Sequence, residues 1–203
     1  MPDCGSQTFQ IVPGFPEDQR DAAARLFWQA FSGKLGKVLS PEDKALALIS
    51  RLLDPNYALS AVTGDGRLLG MAGYKTENGG LVDGGLSDMM AVYGVLGGLW
   101  RGLVLDLLER DPEPGLLLMD GIFVSPDARG LGIGTALLEA VCGTAAAKGC
   151  SKVRLDVIDT NPRARALYER CGFAAIETDE TGPLKHVFGF SSATRMEKHV
   201  TPA

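Results

Sequence analysis

A run of alternating glycines lies between an apolar segment and a helix-forming segment, and it constrains the fold of this 203-residue chain more than any other feature. Gly130, Gly132 and Gly134 are separated by single apolar residues and follow Arg129. The preceding run, LLLMDGIFV, is nearly continuous in apolar residues, which is typical of a central strand. The following run, TALLEAVCGTAAAKG, is rich in helix formers. The sequence therefore predicts a strand–loop–helix unit.

A loop of this kind is suited to binding phosphate. Glycines let the backbone approach a ligand closely, and consecutive N–H groups at a helix N-terminus attract anions. Arg129 can add a positive charge. Two other phosphate motifs fail: Thr135 and Leu137 stand where a Rossmann loop needs its last glycine, and no Gly-Lys-Ser/Thr of a Walker A loop is present. The alternative interpretation is a tight strand-to-helix turn that binds nothing.

A second segment, KVRLDVIDTNPRARALYERCGF at residues 152–173, has the pattern of a strand followed by a helix. The R-x-x-G-x-G of the glycine loop resembles the coenzyme A loop of the GNAT superfamily of N-acetyltransferases. The second segment resembles that family's other signature, Asn-x-x-Ala-x-x-Leu-Tyr-x-x-x-Gly-Phe. Here it is met by Asn161, Ala164, Leu167, Tyr168, Gly172 and Phe173. Two signatures in the family's order and spacing carry the resemblance better than either alone.

The resemblance implies that acetyl-CoA is the co-substrate, and it gives each matching residue a role. The backbone of Ile122, Phe123 and Val124 would pair with the pantetheine arm like an added strand. The pyrophosphate would be held by the amides of the loop residues Arg129, Gly130, Leu131, Gly132, Ile133, Gly134 and Thr135. Asn161 would hydrogen-bond the cofactor or the acceptor region, although an Asn before Pro162 is also a good helix N-cap.

Acyl transfer from a thioester to an amine needs a base for the amine and an acid for the departing thiolate. A phenol, with a pKa of about 10, can donate to a thiolate whose conjugate acid titrates near about 8.5. Tyr168 is our candidate acid, placed beside the sulfur by the resemblance; simple packing of its ring is the alternative.

Asp120 is the candidate base, acting directly or through water. It shares strand parity with Ile122 and Val124, so we expect it to point to the same face. An ordinary strand-end carboxylate is the alternative, and bulk water could accept the proton instead. Further acidic candidates are Glu77, Asp83, Asp88 and Asp156.

The order of the remaining segments predicts one α/β (α+β) domain over residues 1–203 with a mixed sheet. The resemblance implies that this sheet is mostly antiparallel and flanked by helices. An early strand, two helices and a hairpin with an Asp-Gly turn at residues 64–66 precede the insert, and the tail after the second signature contains one or two last strands. The acetyl-CoA core would span residues 118–173. Residues 79–115, helical over 86–109, are an insert relative to a minimal family member, either a packing helix or a glycine-hinged lid over the acceptor.

Composition restricts the classes of partner. Lys and Arg number 20 and Asp and Glu 25, so the net charge of −5 argues against a nucleic-acid binder. No Cys/His cluster has zinc spacing, and we expect no metal. The most apolar stretch, residues 89–100, is shorter than the roughly 20 residues of a membrane span, and the chain starts without a signal-peptide pattern. We expect a cytoplasmic protein without membrane association. The resemblance allows a homodimer through the tail strands.

These observations predict an enzyme, an N-acetyltransferase that moves an acetyl group from acetyl-CoA to a primary amine by direct attack in a ternary complex. The amine could belong to a small molecule, a peptide or a protein. Two alternatives stay open: a non-catalytic acyl-CoA-binding sensor, and a transferase that uses a longer acyl donor. Tyr168 discriminates against the sensor, which has no need of a phenol at the sulfur.

Overall fold

A computed structural model describes residues 8–106, 113–182, 185 and 189–202 of the protein. The strands are β1 (Phe9–Pro13), β2 (Ala58–Thr63), β3 (Leu68–Thr76), β4 (Gly79–Gly80), β5 (Leu116–Val124), β6 (Lys152–Ile158), β7 (Ala174–Glu180) and β8 (Ser192–His199). The helices are α1 (Arg20–Leu39), α2 (Glu42–Leu52), α3 (Leu86–Tyr93), α4 (Val95–Asp106), α5 (Ile133–Ala147) and α6 (Pro162–Arg170).

The strands form one mixed sheet, as the sequence predicts. Its order is β1-β2-β3-β5-β6-β8-β7, with β4 pairing on β3. Within the described ranges, β5 and β6 are the parallel pair and every other pairing is antiparallel. A parallel pair needs a crossover connection, and α5 supplies it. The edge strand β7 is exposed throughout.

Each face of the sheet carries its own hydrophobic core. On one face α5 packs its Ile133, Leu137 and Leu138 against the central strands. On the other face α1 and α2 pack through residues such as Phe27 and Leu48. Because both faces are covered, the central strands are apolar on both sides, which explains the run LLLMDGIFV.

Helix α1 contains two glycines in its second half. It continues through Gly33 and Gly36 to Leu39. Each of these glycines costs about 1 kcal/mol relative to alanine inside a helix. Val38 and Leu39 are almost fully buried at the end of this extension, and their burial offsets that cost.

The predicted insert is present between β3 and β5, but its helix is not continuous. Gly94 has φ of +75° and separates α3 from α4, which fold back against each other. A Cβ on Gly98 would lie 2.5 Å from the backbone nitrogen of Met90, so this glycine is needed for the close approach of the two helices. Residues 107–112, which belong to the predicted insert, lie outside the described residues.

The insert is fixed to the C-terminal end of α1. The Tyr93 hydroxyl donates to the Leu39 carbonyl at 2.5 Å. The Arg101 guanidinium donates to the carbonyls of Val38 at 2.7 Å and Ser40 at 3.1 Å, and it stacks on the Tyr93 ring. These contacts hold α3 and α4 as a wall beside α1, which favours the packing interpretation over a hinged lid. No helix in the described part of the chain is long and apolar enough to cross a membrane.

Candidate active site

The two parallel strands separate in the middle of the sheet. The pairing of β5 with β6 ends at Met119 and Leu155, although β5 continues to Val124 and β6 to Ile158. Beyond that point β5 stays paired with β3 on its other side, and β6 stays paired with β8. Among the described strands, the β5 edge that faces β6 therefore has no partner after Met119. A free strand edge can pair with an extended ligand.

The glycine loop lies directly after this free edge. Gly130 and Gly132 have φ of +85° and +81°, in the left-handed region that favours glycine, and both are exposed. Gly132 is the N-cap of α5, and none of the described side chains caps this helix start. The first-turn N–H groups of α5 are thus available to an anion. The third glycine has another function: a Cβ on Gly134 would lie 3.1 Å from Leu167, so its absence lets α6 pack against α5.

The predicted acetyl-CoA residues fit this arrangement. Ile122 and Val124 pack on the α5 side, whereas the Phe123 ring is buried among Phe27 and Phe31 on the α1 side. Phe123 can thus offer a ligand only its backbone. The exposed loop residues Arg129, Gly130, Leu131 and Gly132 precede the buried Ile133 and the half-buried Gly134 and Thr135. A free strand edge followed by an uncapped helix start matches an extended arm that ends in a diphosphate.

A cavity of about 750 Å³ lies where the strands separate. Its walls come from all three layers: β5 and β6, the helices α1 and α2, and the insert. Asp120 and Asp156 line it on the sheet side, directly after the last parallel pair of Met119 and Leu155. The glycine loop and Tyr168 do not line it. The phosphate-binding candidate and the cavity are therefore separate, and both adjoin β5.

Asp120 does not share a face with Ile122 and Val124, and that prediction from parity is wrong. The β3–β5 register shifts here: Gly73 pairs with Gly121 and Tyr74 with Met119, which leaves Asp120 as an extra, bulged residue. A bulge reverses the alternation of faces. Ile122 and Val124 consequently pack on the α5 side, while Asp120 lines the cavity on the side of α1.

The surroundings of Asp120 shift the pKa of its carboxyl group towards neutral pH. The side chain is exposed to the cavity but is otherwise enclosed by protein. This desolvation raises the pKa of Asp120 to about 6, against the opposing effects of the Lys75 charge and the Leu81 backbone amide. A carboxylate with a pKa near the operating pH is suited to accept a proton.

The other acidic candidates differ in their position relative to the cavity. Asp156 lines the cavity beside Asp120, and it forms a 3.4 Å ion pair with the buried Arg154. Asp88 accepts from the Gly85 backbone at the start of α3 and pairs with Arg51 at 3.1 Å, so it has a structural function. The remaining two candidates, Glu77 and Asp83, do not line the cavity.

Tyr168 is the buried residue of α6, with 7% of its surface exposed. Its ring lies 6.2 Å from that of Phe173, so the packing function exists. Burial raises the pKa of Tyr168 to about 12, which keeps the phenol protonated at neutral pH. The hydroxyl forms no hydrogen bond with any residue that the structure describes. A protonated phenol without a protein partner can donate to a ligand.

Asn161 is the N-cap of α6. Its side-chain oxygen accepts from the Ala164 backbone N–H at 3.2 Å, so the capping function is present. The residue is exposed, which leaves its amide group accessible to a ligand. Over the described ranges, no group of three or more His, Cys, Asp or Glu side chains could hold a metal ion.

Two features of this site were missed in the sequence analysis. Gly121 follows Asp120 inside an otherwise apolar strand, and an isolated glycine in a strand is a known sign of a bulge. The aromatic wall of the cavity, Phe27 and Phe31 of α1, had no sequence signal that linked it to β5. Helix α1 precedes β5 by nearly 80 residues, and only the tertiary fold brings them together.

The chain is similar to known acetyltransferases in sequence. It is 43% identical over 56 residues to the thialysine N-epsilon-acetyltransferase of Bos taurus, a match that covers 28% of this chain and 33% of that protein. The chain thus spans about a third of the length of this relative and of the thialysine N-epsilon-acetyltransferases of Sus scrofa and Mus musculus, which it also matches. A longer match, 30% identical over 114 residues, is to an uncharacterized N-acetyltransferase of Schizosaccharomyces pombe, and it covers 52% of this chain and 70% of that one.

The fold is shared with solved acetyltransferase structures. One is a GNAT superfamily phosphinothricin acetyltransferase from Sinorhizobium meliloti in complex with AcCoA; the TM-score is 0.59 at 17% identity, over 96% of this chain and 89% of that one. At this identity the likeness concerns the fold alone. The model of the Acetyltransferase (GNAT) family matches residues 20–173, which include both signatures and the insert. The chain therefore belongs to the GNAT acetyltransferase family.

Proposed function

We propose that this protein transfers an acetyl group from acetyl-CoA to a primary amine, by direct attack in a ternary complex. The observation that carries the proposal is the separation of β5 from β6 after Met119. It leaves a free strand edge and the glycine loop on one side and a cavity with Asp120 on the other. Donor and acceptor can thus be bound from two directions at one point of the sheet.

Acetyl-CoA supplies the activated thioester. The backbone of Ile122, Phe123 and Val124 holds its extended arm, and the amides from Arg129 to Thr135 hold its diphosphate, with Asn161 as a further donor. The free N–H groups at the β5 edge also suit polarisation of the acetyl carbonyl. The support for this binding mode is the unpaired strand edge and the two left-handed glycines at the helix start.

Two protein side chains each transfer one proton during the reaction. Asp120 takes a proton from the amine, directly or through water, as the nitrogen forms its bond to the acetyl carbon. Tyr168 gives its proton to the sulfur as the carbon–sulfur bond breaks. The pKa of Asp120 is about 6 and that of Tyr168 about 12, so at pH 7 Asp120 is mostly ionised and Tyr168 is protonated, as these roles require.

Amine-dependent release of free CoA thiol tests the proposal. The wild-type protein should release thiol from acetyl-CoA when a primary amine is added, and Tyr168→Phe should reduce that rate by roughly 10²-fold or more, the range of general-acid catalysis. Tyr57→Phe is the matched control, because its hydroxyl donates to the Asn78 carbonyl and neither residue lines the cavity. If acetyl-CoA protects the fold against heat but no amine gives turnover, the sensor alternative replaces the proposal. Faster turnover with a longer acyl-CoA than with acetyl-CoA would instead show that the enzyme uses the longer acyl donor.

A cytoplasmic location completes the proposal. The three described cysteines, Cys142, Cys150 and Cys171, are all free thiols. Free thiols are ordinary in a reducing compartment, where acetyl-CoA would be the available donor. Labelling of the intact protein with a thiol reagent directly after cell lysis tests this: reduced cysteines are expected, and a disulfide would contradict it.

A further inference from the structure

The acceptor cavity is divided into a charged wall and apolar walls. Three of its lining residues are charged, Lys75, Asp120 and Asp156, and all three lie on strands of the sheet. They lie together, because the two acids follow the last β5–β6 pair and the Lys75 charge acts on Asp120. Every described side chain that the four helices α1 to α4 contribute to the lining is apolar.

Several apolar side chains that line the cavity are left exposed. Val82, Leu86, Leu99 and Leu103 line the cavity and keep 40%, 43%, 44% and 63% of their surface accessible. Large aliphatic side chains gathered around one opening mark a binding surface for an apolar group. A ligand with an apolar portion would cover these side chains and remove their surface from water, which is favourable.

We propose that the acceptor is a monoamine with an apolar body. Its amine lies at Asp120, and its alkyl or aryl portion extends along α3 and α4 towards Leu99 and Leu103. None of the described residues of α3 and α4 that line the cavity is charged, so a second ammonium group or a carboxylate at the far end of the molecule would lie against apolar side chains, which is unfavourable. This inference rests on the proposed function, since it names the substrate class of the same site.

A homologous series of amines tests the inference. With acetyl-CoA saturating, kcat/KM for n-alkylamines from two to eight carbons should rise by up to about fourfold per methylene, the value for a fully buried CH₂. Hexylamine should be a better acceptor than 1,6-diaminohexane or 6-aminohexanoate of matched length. Leu103→Gln should reduce the gain per methylene. The control is Leu96→Gln on the same helix, because Leu96 is 82% exposed and does not line the cavity; it should leave the gain unchanged.

The outcomes separate this inference from the proposed function. Acetylation of all amines at rates independent of chain length, or a preference for the diamine or the amino acid, would overturn the apolar acceptor and leave acetyl transfer intact. If no amine is acetylated, calorimetric titration of the same amines into the protein with acetyl-CoA present decides the inference by itself. Affinity that increases with chain length and is reduced in Leu103→Gln supports the apolar acceptor site; affinity without that trend overturns it.

Discussion

Replacement of Asp120 by asparagine removes one ionisable group from the cavity and keeps its shape. If Asp120 is the base, the rate of acetyl transfer depends on the fraction of Asp120 that is ionised. The structure gives that fraction, because burial raises the pKa of Asp120 to about 6. About 90% is ionised at pH 7 and about 9% at pH 5, which follows from a single titration with that pKa.

The ratio of kcat/KM between the wild type and Asp120→Asn isolates the effect of Asp120 ionisation on the rate. The acceptor amine also titrates, but it does so equally in both assays, so it cancels when kcat/KM of the wild type is divided by that of Asp120→Asn. We expect the ratio to be roughly 10² to 10⁴ at pH 7, the range of general-base catalysis, and to fall about tenfold between pH 7 and pH 5. The assay is initial-rate thiol release at constant ionic strength, with Asp83→Asn as a control aspartate outside the cavity.

The raised pKa of Asp120 also makes the stability of the fold depend on pH. A raised pKa means that the fold favours protonated Asp120: this stabilisation is complete below about pH 4 and is lost as the pH rises through about 6. The melting temperature of Asp120→Asn should therefore rise relative to the wild type between pH 4 and pH 7. A rate ratio that stays constant with pH would refute the assignment of Asp120 as base, and a constant difference in melting temperature would refute the raised pKa.

Three further substitutions test other parts of the account. Gly132→Ala places a Cβ on a left-handed residue, so it should reduce the free energy of unfolding by about 1 kcal/mol and weaken acetyl-CoA binding in calorimetry; unchanged binding would contradict the loop assignment. Gly98→Ala forces a Cβ against Met90 and should destabilise the fold by about 1 to 3 kcal/mol, whereas Gly36→Ala, in open space on α1, should stabilise it by up to about 1 kcal/mol; equal effects in urea unfolding would contradict the close helix contact. Tyr168→Phe should melt close to the wild-type temperature, because the hydroxyl has no partner among the described residues; a large decrease would indicate a structural function.

The predictable parts of this fold are those fixed by local backbone chemistry. The Asp-Gly turn at residues 64–66 forms the β2–β3 hairpin, and Gly130 and Gly132 adopt the left-handed conformations that a strand-to-helix loop requires. Asn161 caps α6 as its position before Pro162 indicates. In each case a few neighbouring residues determine the conformation, so these local structures can be predicted from the sequence.

The missed parts depend on contacts between distant segments. Asp120 changes face because β5 bulges against β3, and the cavity is closed by α1 and the insert, which no local pattern connects to β5. Arg154 occupies a position where an alternating strand would expose it, yet it is 5% exposed, since β6 is covered on both faces and Asp156 pairs with it. Burial of this kind is decided by the layers above and below a strand, which a single sequence does not specify.

Initial rates measured against both substrates test the central claim most directly. Acetyl-CoA and an alkylamine are varied together, and the acetylated amine and the free CoA thiol are both quantified by mass spectrometry. Direct transfer in a ternary complex predicts one acetylated amine for each thiol released, with double-reciprocal lines that intersect. Parallel lines, or an acetylated protein that forms without amine, would show a covalent intermediate and contradict the mechanism. Thiol release that does not respond to the amine would contradict acetyl transfer itself.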